Sequence, residues 1–372
     1  MIYLDNAATT KPSPKTVETA KRILERDFYN PSALYYCAVG VRKEIDAARA
    51  CIANKLACKP SEIVFTSGAT EANNWAVAGG FKNKRGNVVV SEGEHPSVFE
   101  PLMLLKGKGV DVRIVPLLSD GRVDEERLVG SVDGETSFVS VIHVSNETGA
   151  VNDVKRLARE VKAKNAKAVF HSDGVQAFCK VPLCLGSSDI DLYSISAHKI
   201  GGLKGAGALY IRSGLNIAPF MAGGGQERNL RSGTENVMSI LSFKTAIDDF
   251  DGSVVPELYE YAASRLSEID GVRINGCMES ASRYIISVGV SGVKSEILQH
   301  ILSDSGVLVG TGSACSSKTK KNRALESMKI EKRFIDGNIR ISFSPQNTLE
   351  EVKKAVDVIA EAIVKLRRKI NG

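Results

Sequence analysis

Lys199 follows the apolar run 192–195 within Ser196-Ala197-His198-Lys199 and precedes the glycine-rich stretch 201–207. A lysine held in a dry site has a lowered pKa and forms an imine with an aldehyde. Ser67-Gly68-Ala69-Thr70 follows another apolar run and opens a helical stretch, so it offers backbone N–H groups and a positive helix end to a phosphate. Asp173 closes a third run in His171-Ser172-Asp173-Gly174-Val175-Gln176. A phosphate cradle, an imine-forming lysine and a carboxylate that keeps a pyridine nitrogen protonated are the parts that pyridoxal 5′-phosphate requires. Neither the G-x-x-x-x-G-K-[ST] loop nor a G-x-G-x-x-G turn after the first strands is present, so nucleotide chemistry is not supported.

A second kind of chemistry centres on Cys315. It lies in Gly310-Thr311-Gly312-Ser313-Ala314-Cys315-Ser316-Ser317-Lys318, with Lys320, Lys321 and Arg323 following. Small polar neighbours suit a loop rather than a core, and nearby cations favour the nucleophilic thiolate. The other cysteines (37, 51, 58, 179, 184 and 277) read as small buried side chains. Seven is an odd number and no pair has Cys-x-x-Cys spacing, so neither a disulfide framework nor a structural zinc site is expected. With no basic segment or cleavage pattern after Met1-Ile2-Tyr3-Leu4-Asp5, a cytoplasmic location is expected.

These residues need a scaffold, and the hydrophobic pattern supplies one. Strands are expected over 63–66, 87–91, 111–116, 138–144, 168–172, 192–196 and 206–211, and helices over 14–27, 41–56, 71–79, 153–164 and 235–249. That alternation predicts an α/β fold, a mostly parallel sheet sandwiched by helices. From about residue 256 the pattern changes to a helix (258–269), strands (284–290 and 339–342) and a closing helix. A smaller α+β domain is therefore expected. In the closing helix Val352, Val356, Ile359, Ile363, Leu366 and Ile370 form one apolar stripe, and Thr348 with Glu351 forms a capping box. The domain boundary falls in Asp251-Gly252-Ser253.

Five of the strands run out into polar clusters: Thr66–Glu71, Ser91–His95, Ser145–Gly149, His171–Gln176 and Ser196–Lys199. An ordinary turn explains any one of them. Ligands of open parallel sheets bind outside the carboxyl ends of the strands, so the five together predict one convergent site. Length and composition are those of a globular protein and exclude a mainly disordered or fibrous one: 372 residues, 43% hydrophobic and 25% charged. The net charge of +6 is too thin and too interleaved with acids to predict direct nucleic-acid binding. No apolar run approaches the ~18–20 residues of a membrane span.

Tyr3-Leu4-Asp5-Asn6-Ala7-Ala8-Thr9-Thr10, Asn30-Pro31-Ser32-Ala33, Thr66-Ser67-Gly68-Ala69-Thr70-Glu71, Glu94-His95, Ser196-Ala197-His198-Lys199, Arg231-Ser232-Gly233-Thr234-Glu235-Asn236 and Gly312-Ser313-Ala314-Cys315-Ser316 together resemble the cysteine desulfurases. These are the NifS/IscS-like enzymes of the fold-type I pyridoxal phosphate superfamily. The Ser-Ala-Cys-Ser element resembles the long-loop class rather than the Arg-x-Gly-His-His-Cys class. The resemblance implies a large cofactor-binding domain over 13–252 and a small domain of 1–12 with 253–372 that carries the Cys315 loop. It implies that Lys199 binds the cofactor covalently, Asp173 pairs with the ring nitrogen, and Gln176 meets the ring hydroxyl. His95 would stack on the ring as an acid/base group, with Asn146 beside it. Ala69 (through its N–H), Thr70, Ser196 and His198 would hold the phosphate. Thr234 would reach the phosphate of a second subunit, which implies a homodimer.

Asn30 and Arg340 would hold the substrate carboxylate. The implied reaction takes sulfur from L-cysteine, leaving L-alanine and a Cys315 persulfide. The sulfur would pass to an acceptor such as an iron–sulfur scaffold or a tRNA-thiolating enzyme. A selenocysteine lyase, or another β-eliminating or aminotransferring enzyme on the same scaffold, is the alternative. A non-catalytic, partner-binding scaffold is the reading from another class, and the joint presence of Lys199, Asp173, His95 and Cys315 argues against it. Three stretches depart from the family pattern: Tyr35-Tyr36-Cys37 where a histidine is usual, Gly174-Val175 where Ala-Ala is common (a mild change by sequence), and Gly201–Gly205 without the usual proline.

Overall fold

The computed structural model describes residues 1–81, 86–312 and 322–371, so Cys315 lies outside the described residues. The chain opens with the short strand β1 (Ile2–Leu4). Seven strands follow, alternating with helices: β2 (Ile63–Thr66), β3 (Asn87–Ser91), β4 (Asp111–Val115), β5 (Thr136–Ser140), β6 (Val169–Asp173), β7 (Leu192–Ser196) and β8 (Gly207–Ile211). The last part gives β9 (Val272–Asn275), β10 (Ile285–Val290), β11 (Val307–Thr311) and β12 (Asn338–Ser342).

Among the described residues, β2 to β8 form one sheet in the order β2-β8-β7-β6-β5-β3-β4. Every pairing from β7 across to β4 is parallel, and β8 alone runs against both its neighbours. Since β2 opposes β8 and β8 opposes β7, β2 points the same way as the parallel strands. The five polar clusters therefore leave one edge of the sheet, as the α/β pattern predicts.

Nearly all residues of these strands are buried because helices cover both faces. Phe65, Val89, Val139, Phe170, Tyr193 and Ile195 face one core, shared with the helices Tyr36–Lys55, Val154–Lys164 and Val237–Asp248. Val64, Val88, Val90, Phe138, Leu192 and Leu209 face the other, shared with the helices Ala69–Gly80 and Pro96–Lys106.

The second sheet has the order β1-β11-β12-β10-β9 and its own core. The closing helix, Leu349–Asn371, turns Val352, Val356, Ile359, Ile363 and Leu366 into that core. Its capping box forms: Thr348 N–H donates to Glu351 Oε2 at 3.1 Å and Glu351 N–H to Thr348 Oγ1 at 3.2 Å. Among the described residues no helix is long and apolar enough to cross a membrane.

The structure adds elements that the sequence reading lacks, and it also differs from that reading at three places that it named. The strand expected over 138–144 ends at Ser140; beyond it His143 N–H still donates to the Asp173 carbonyl at 2.9 Å, but Val144 turns away to bridge Val151. The second helix starts at Tyr36 rather than at 41. The six described cysteines are free thiols, but none is fully buried and Cys184 is exposed.

Candidate active site

Two chain segments meet where the phosphate was expected. Gly68 precedes the helix Ala69–Gly80, which no side chain caps, and the first internal hydrogen bond is from Ala72 N–H to Gly68 O at 3.2 Å. The first-turn N–H groups, those of Ala69 and Thr70 included, are thus available to an anion. Gly207, paired with Ser196 across the sheet, passes so close that a Cβ there would stand 2.7 Å from the Gly68 carbonyl carbon. Ser196 Oγ is buried at this crossing and has no hydrogen-bond partner among the described residues. His198 Nδ1 lies 3.2 Å from Thr9 Oγ1, and burial, with Lys199 adding to it, pushes this imidazole down to about 4. Glu71 stiffens the cradle, accepting from Ser67 N–H at 2.9 Å and from Arg231 at 2.8 and 3.0 Å.

Lys199 ends the short turn after β7, and its amine donates to the carbonyls of Ala7 (2.6 Å) and Ala8 (2.8 Å). Gln176 Nε2 also donates to Ala7 O, at 2.9 Å. The Ala7–Ala8 segment is fixed from the second sheet, with Ala7 N–H donating to Ser342 Oγ at 2.8 Å and Asn6 Nδ2 to Ser342 O at 2.9 Å. Lys180 Nζ reaches Gln176 Oε1 at 3.4 Å; burial, reinforced by Lys199, lowers this amine to about 7.

Asp173, at the end of β6, is buried and accepts from Asn73 Nδ2 at 2.8 Å and from Val175 N–H at 2.9 Å. Asn73 Nδ2 also donates to Ser97 Oγ at 2.8 Å, and Ser97 Oγ lies 2.7 Å from His95 Nδ1. Burial lowers the His95 pKa; Asp173 opposes the shift and Lys199 reinforces it. Buried Glu94, next in the chain, moves well above the usual carboxylate range, first from burial and then from Asp173.

Arg340, from β12, joins the two sheets. Its Nη1 donates to Asn146 O at 2.9 Å and its Nη2 to Asp5 Oδ1 at 3.0 Å, while Nε is buried without a partner among the described residues. Asn146 Nδ2 in turn donates to Glu147 Oε1 at 2.8 Å.

The expected site residues thus fall into four groups. Ala69, Thr70, Ser196 and His198 belong to the cradle; Lys199 and Gln176 share the Ala7 carbonyl; Asp173 and His95 are linked through Asn73 and Ser97; and Asn146 joins Arg340. Asn30 lies in an exposed turn, where its Oδ1 accepts from Ser32 N–H at 2.9 Å, and no hydrogen bond among the described residues links it to Arg340. Thr234 is exposed, three residues beyond the Arg231 that binds Glu71. Sequence reasoning missed Asp5, Asn73 and Ser97. A polar Asn73 on the apolar side of its helix, between Ala72 and Trp75 in sequence, was the available signal.

Gly174 is more than the mild exchange it looks like in sequence. A Cβ there would overlap the Tyr193 ring, which is 1% exposed and whose hydroxyl lies 2.7 Å from His143 Nδ1. Gly174→Ala is expected to destabilise the protein by about 2 kcal/mol, an overpacking effect worth about 2–3 °C of melting temperature. An unchanged thermal melt would show that the ring has room to move.

The fit to pyridoxal 5′-phosphate rests on these observations: an uncapped helix end and an unpartnered buried hydroxyl for the phosphate, a buried oriented carboxylate for the ring nitrogen, and an amine at the strand end. The donor set suits the group.

Comparison with known proteins agrees with this chemistry. The aminotransferase class-V family model matches residues 2–355. A cysteine desulfurase IscS of Dictyoglomus turgidum is 34% identical, the match covering 98% of this chain and 95% of that protein. A solved NifS-like protein is 33% identical, with a TM-score of 0.91 over 98% of this chain and 99% of its own. A structure described as SspA in complex with cysteine is 28% identical, with a TM-score of 0.84 over 94% of this chain and 100% of its own.

Proposed function

This chain belongs to the class-V aminotransferase family and, within it, to the pyridoxal 5′-phosphate-dependent cysteine desulfurases, and from that premise we propose how its own residues remove sulfur from L-cysteine. The single observation that carries the site assignment is the crossing at Gly68 and Gly207, where an open helix end and the free Ser196 hydroxyl meet beside the strand end bearing Lys199.

When bound, the cofactor supplies an aldehyde and an electron sink. The N–H of Ala69, Thr70, Ser196 and His198 bind its phosphate. Asp173, oriented by Asn73 and Val175, holds the proton on the ring nitrogen, and Gln176 holds the ring hydroxyl. Lys199 would be the covalent attachment point, and its amine would move the proton at the substrate Cα. His95, kept neutral by burial, assists at the ring. Arg340 takes the substrate carboxylate; the unpartnered Nε supports this, because a bidentate pair uses such a donor. Asn30 and Asn146 complete that contact.

The Cys315 thiolate then attacks the substrate sulfur. The carbon–sulfur bond breaks, a sulfur–sulfur bond forms, and the products balance as L-alanine plus a Cys315 persulfide. An iron–sulfur scaffold or a tRNA- or cofactor-thiolating enzyme accepts the sulfur. We place Thr234 at the phosphate of a second copy, and the exposed Phe28, Leu34 and Tyr36 near Asn30 supply apolar surface for such a homodimer. Six free thiols among the described residues fit a cytoplasmic setting.

The test is product analysis with L-cysteine and a thiol reductant, run beside L-selenocysteine. Equal amounts of L-alanine and sulfide are expected from cysteine. Selenide from selenocysteine with no alanine from cysteine would replace this assignment with a selenocysteine lyase.

A further inference from the structure

His95 caps the helix Pro96–Lys106, and two donors converge on its Nδ1. Ser97 N–H approaches at 3.2 Å and Ser97 Oγ at 2.7 Å. The hydroxyl proton has a defined direction. Asn73 Nδ2 spends one hydrogen on an Asp173 carboxylate oxygen and the other on Ser97 Oγ, both at 2.8 Å. A carboxylate only accepts, so the nitrogen end of the Asn73 amide must face Asp173. Because Nδ1 accepts from the Ser97 N–H it carries no hydrogen of its own, so Ser97 Oγ, accepting from Asn73, turns its hydrogen toward His95. Asn73, Ser97 and Asp173 are 0%, 8% and 3% exposed, so water does not offer the hydroxyl another partner easily.

We propose that Asn73 and Ser97 are a positioning relay that transmits the orientation of the Asp173 carboxylate to His95 and fixes it as the neutral imidazole with its proton on Nε2. Protonating Nδ1 would set its N–H against the Ser97 N–H and hydroxyl, so the relay opposes the imidazolium. The charges around the ring come from several elements. Asp173 and Glu147 favour the cation, and Lys199 and Arg323 disfavour it. Against that mixed field, the hydrogen bonds add to burial in holding the neutral form. His95 then assists by donating a hydrogen bond from Nε2 rather than by delivering a stored proton. This use deepens the proposed placement of the cofactor ring beside His95 and rests on it; the relay itself does not.

The test is a titration of His95 by two-bond ¹⁵N–¹H spectra on the full chain, with and without cofactor, between about pH 5 and 8. The expected wild-type form is Nε2–H. Ser97→Ala should raise the His95 pKa by about one unit, the worth of one lost hydrogen bond, and Ser97→Thr should restore it. Asn73→Ala should raise it in the wild-type background and add nothing in the Ser97→Ala background, since it acts through that hydroxyl. An Nδ1–H wild type, an unmoved pKa in Ser97→Ala, or equal Asn73→Ala shifts in both backgrounds would overturn the relay. Failure to form L-alanine with these shifts intact would instead overturn the assigned reaction.

Discussion

Replacing Lys199 with alanine is expected to cut L-alanine formation from L-cysteine by about 10³-fold, within the range for losing a positioned acid–base group. It also removes the covalent link to the cofactor. The phosphate cradle is untouched by the change, because Ser196, His198 and the helix Ala69–Gly80 are held by their own contacts. The variant should therefore still bind pyridoxal 5′-phosphate reversibly. Borohydride reduction followed by denaturation separates the two states: cofactor stays with wild-type protein and washes away from Lys199→Ala. Cofactor fixed to the variant, or alanine formed at the normal rate, would remove Lys199 from its proposed role.

The second large effect belongs to Cys315→Ala. Persulfide formation should vanish, and turnover should fall by about 10³-fold for want of the nucleophile, while cofactor absorbance and affinity stay as in the wild type. Cys315 is outside the described residues, but both ends of its stretch are attached near the site. A Cβ on Gly312 would stand 3.0 Å from Glu147 Oε2, and Asn322 Nδ2 donates to that same oxygen at 3.1 Å. Arg323 Nε donates to Glu92 O at 2.8 Å, just ahead of His95, and its guanidinium lies 3.6 Å from the Phe99 ring centroid. Mass spectrometry after a single addition of L-cysteine tests the point: wild type gains one sulfur on the peptide containing Cys315. A sulfur found on another cysteine would reassign the nucleophile.

Much of this was legible in the sequence because parallel strands buried on both faces read as short apolar runs. β2, β3 and β7 lie where those runs predict, and the polar clusters beyond them share one edge. Elements with weaker patterning escaped. β1, β9 and β11 are short, and β1 takes its place by pairing with β11, a contact across some three hundred residues of chain that no local pattern announces. The helix Pro96–Lys106 is not among the expected helices; it carries Pro96 at its start and Pro101 inside, and proline is a poor helix signal. Within the site, residue type identified Lys199 and Asp173, whereas Asn73 and Ser97 matter through whom they touch. That information exists only once two helices are laid side by side.

The seat of the Lys199 amine has a consequence for biosynthesis. Ala7 and Ala8 are supplied by the earliest part of the chain, yet β1 pairs with Val307–Val309 and Asn6 and Ala7 bind Ser342. A nascent polypeptide whose large sheet has already left the ribosome still lacks the strands that seat this lysine. The seat of this amine is therefore complete only once residues as far along as Ser342 have been made.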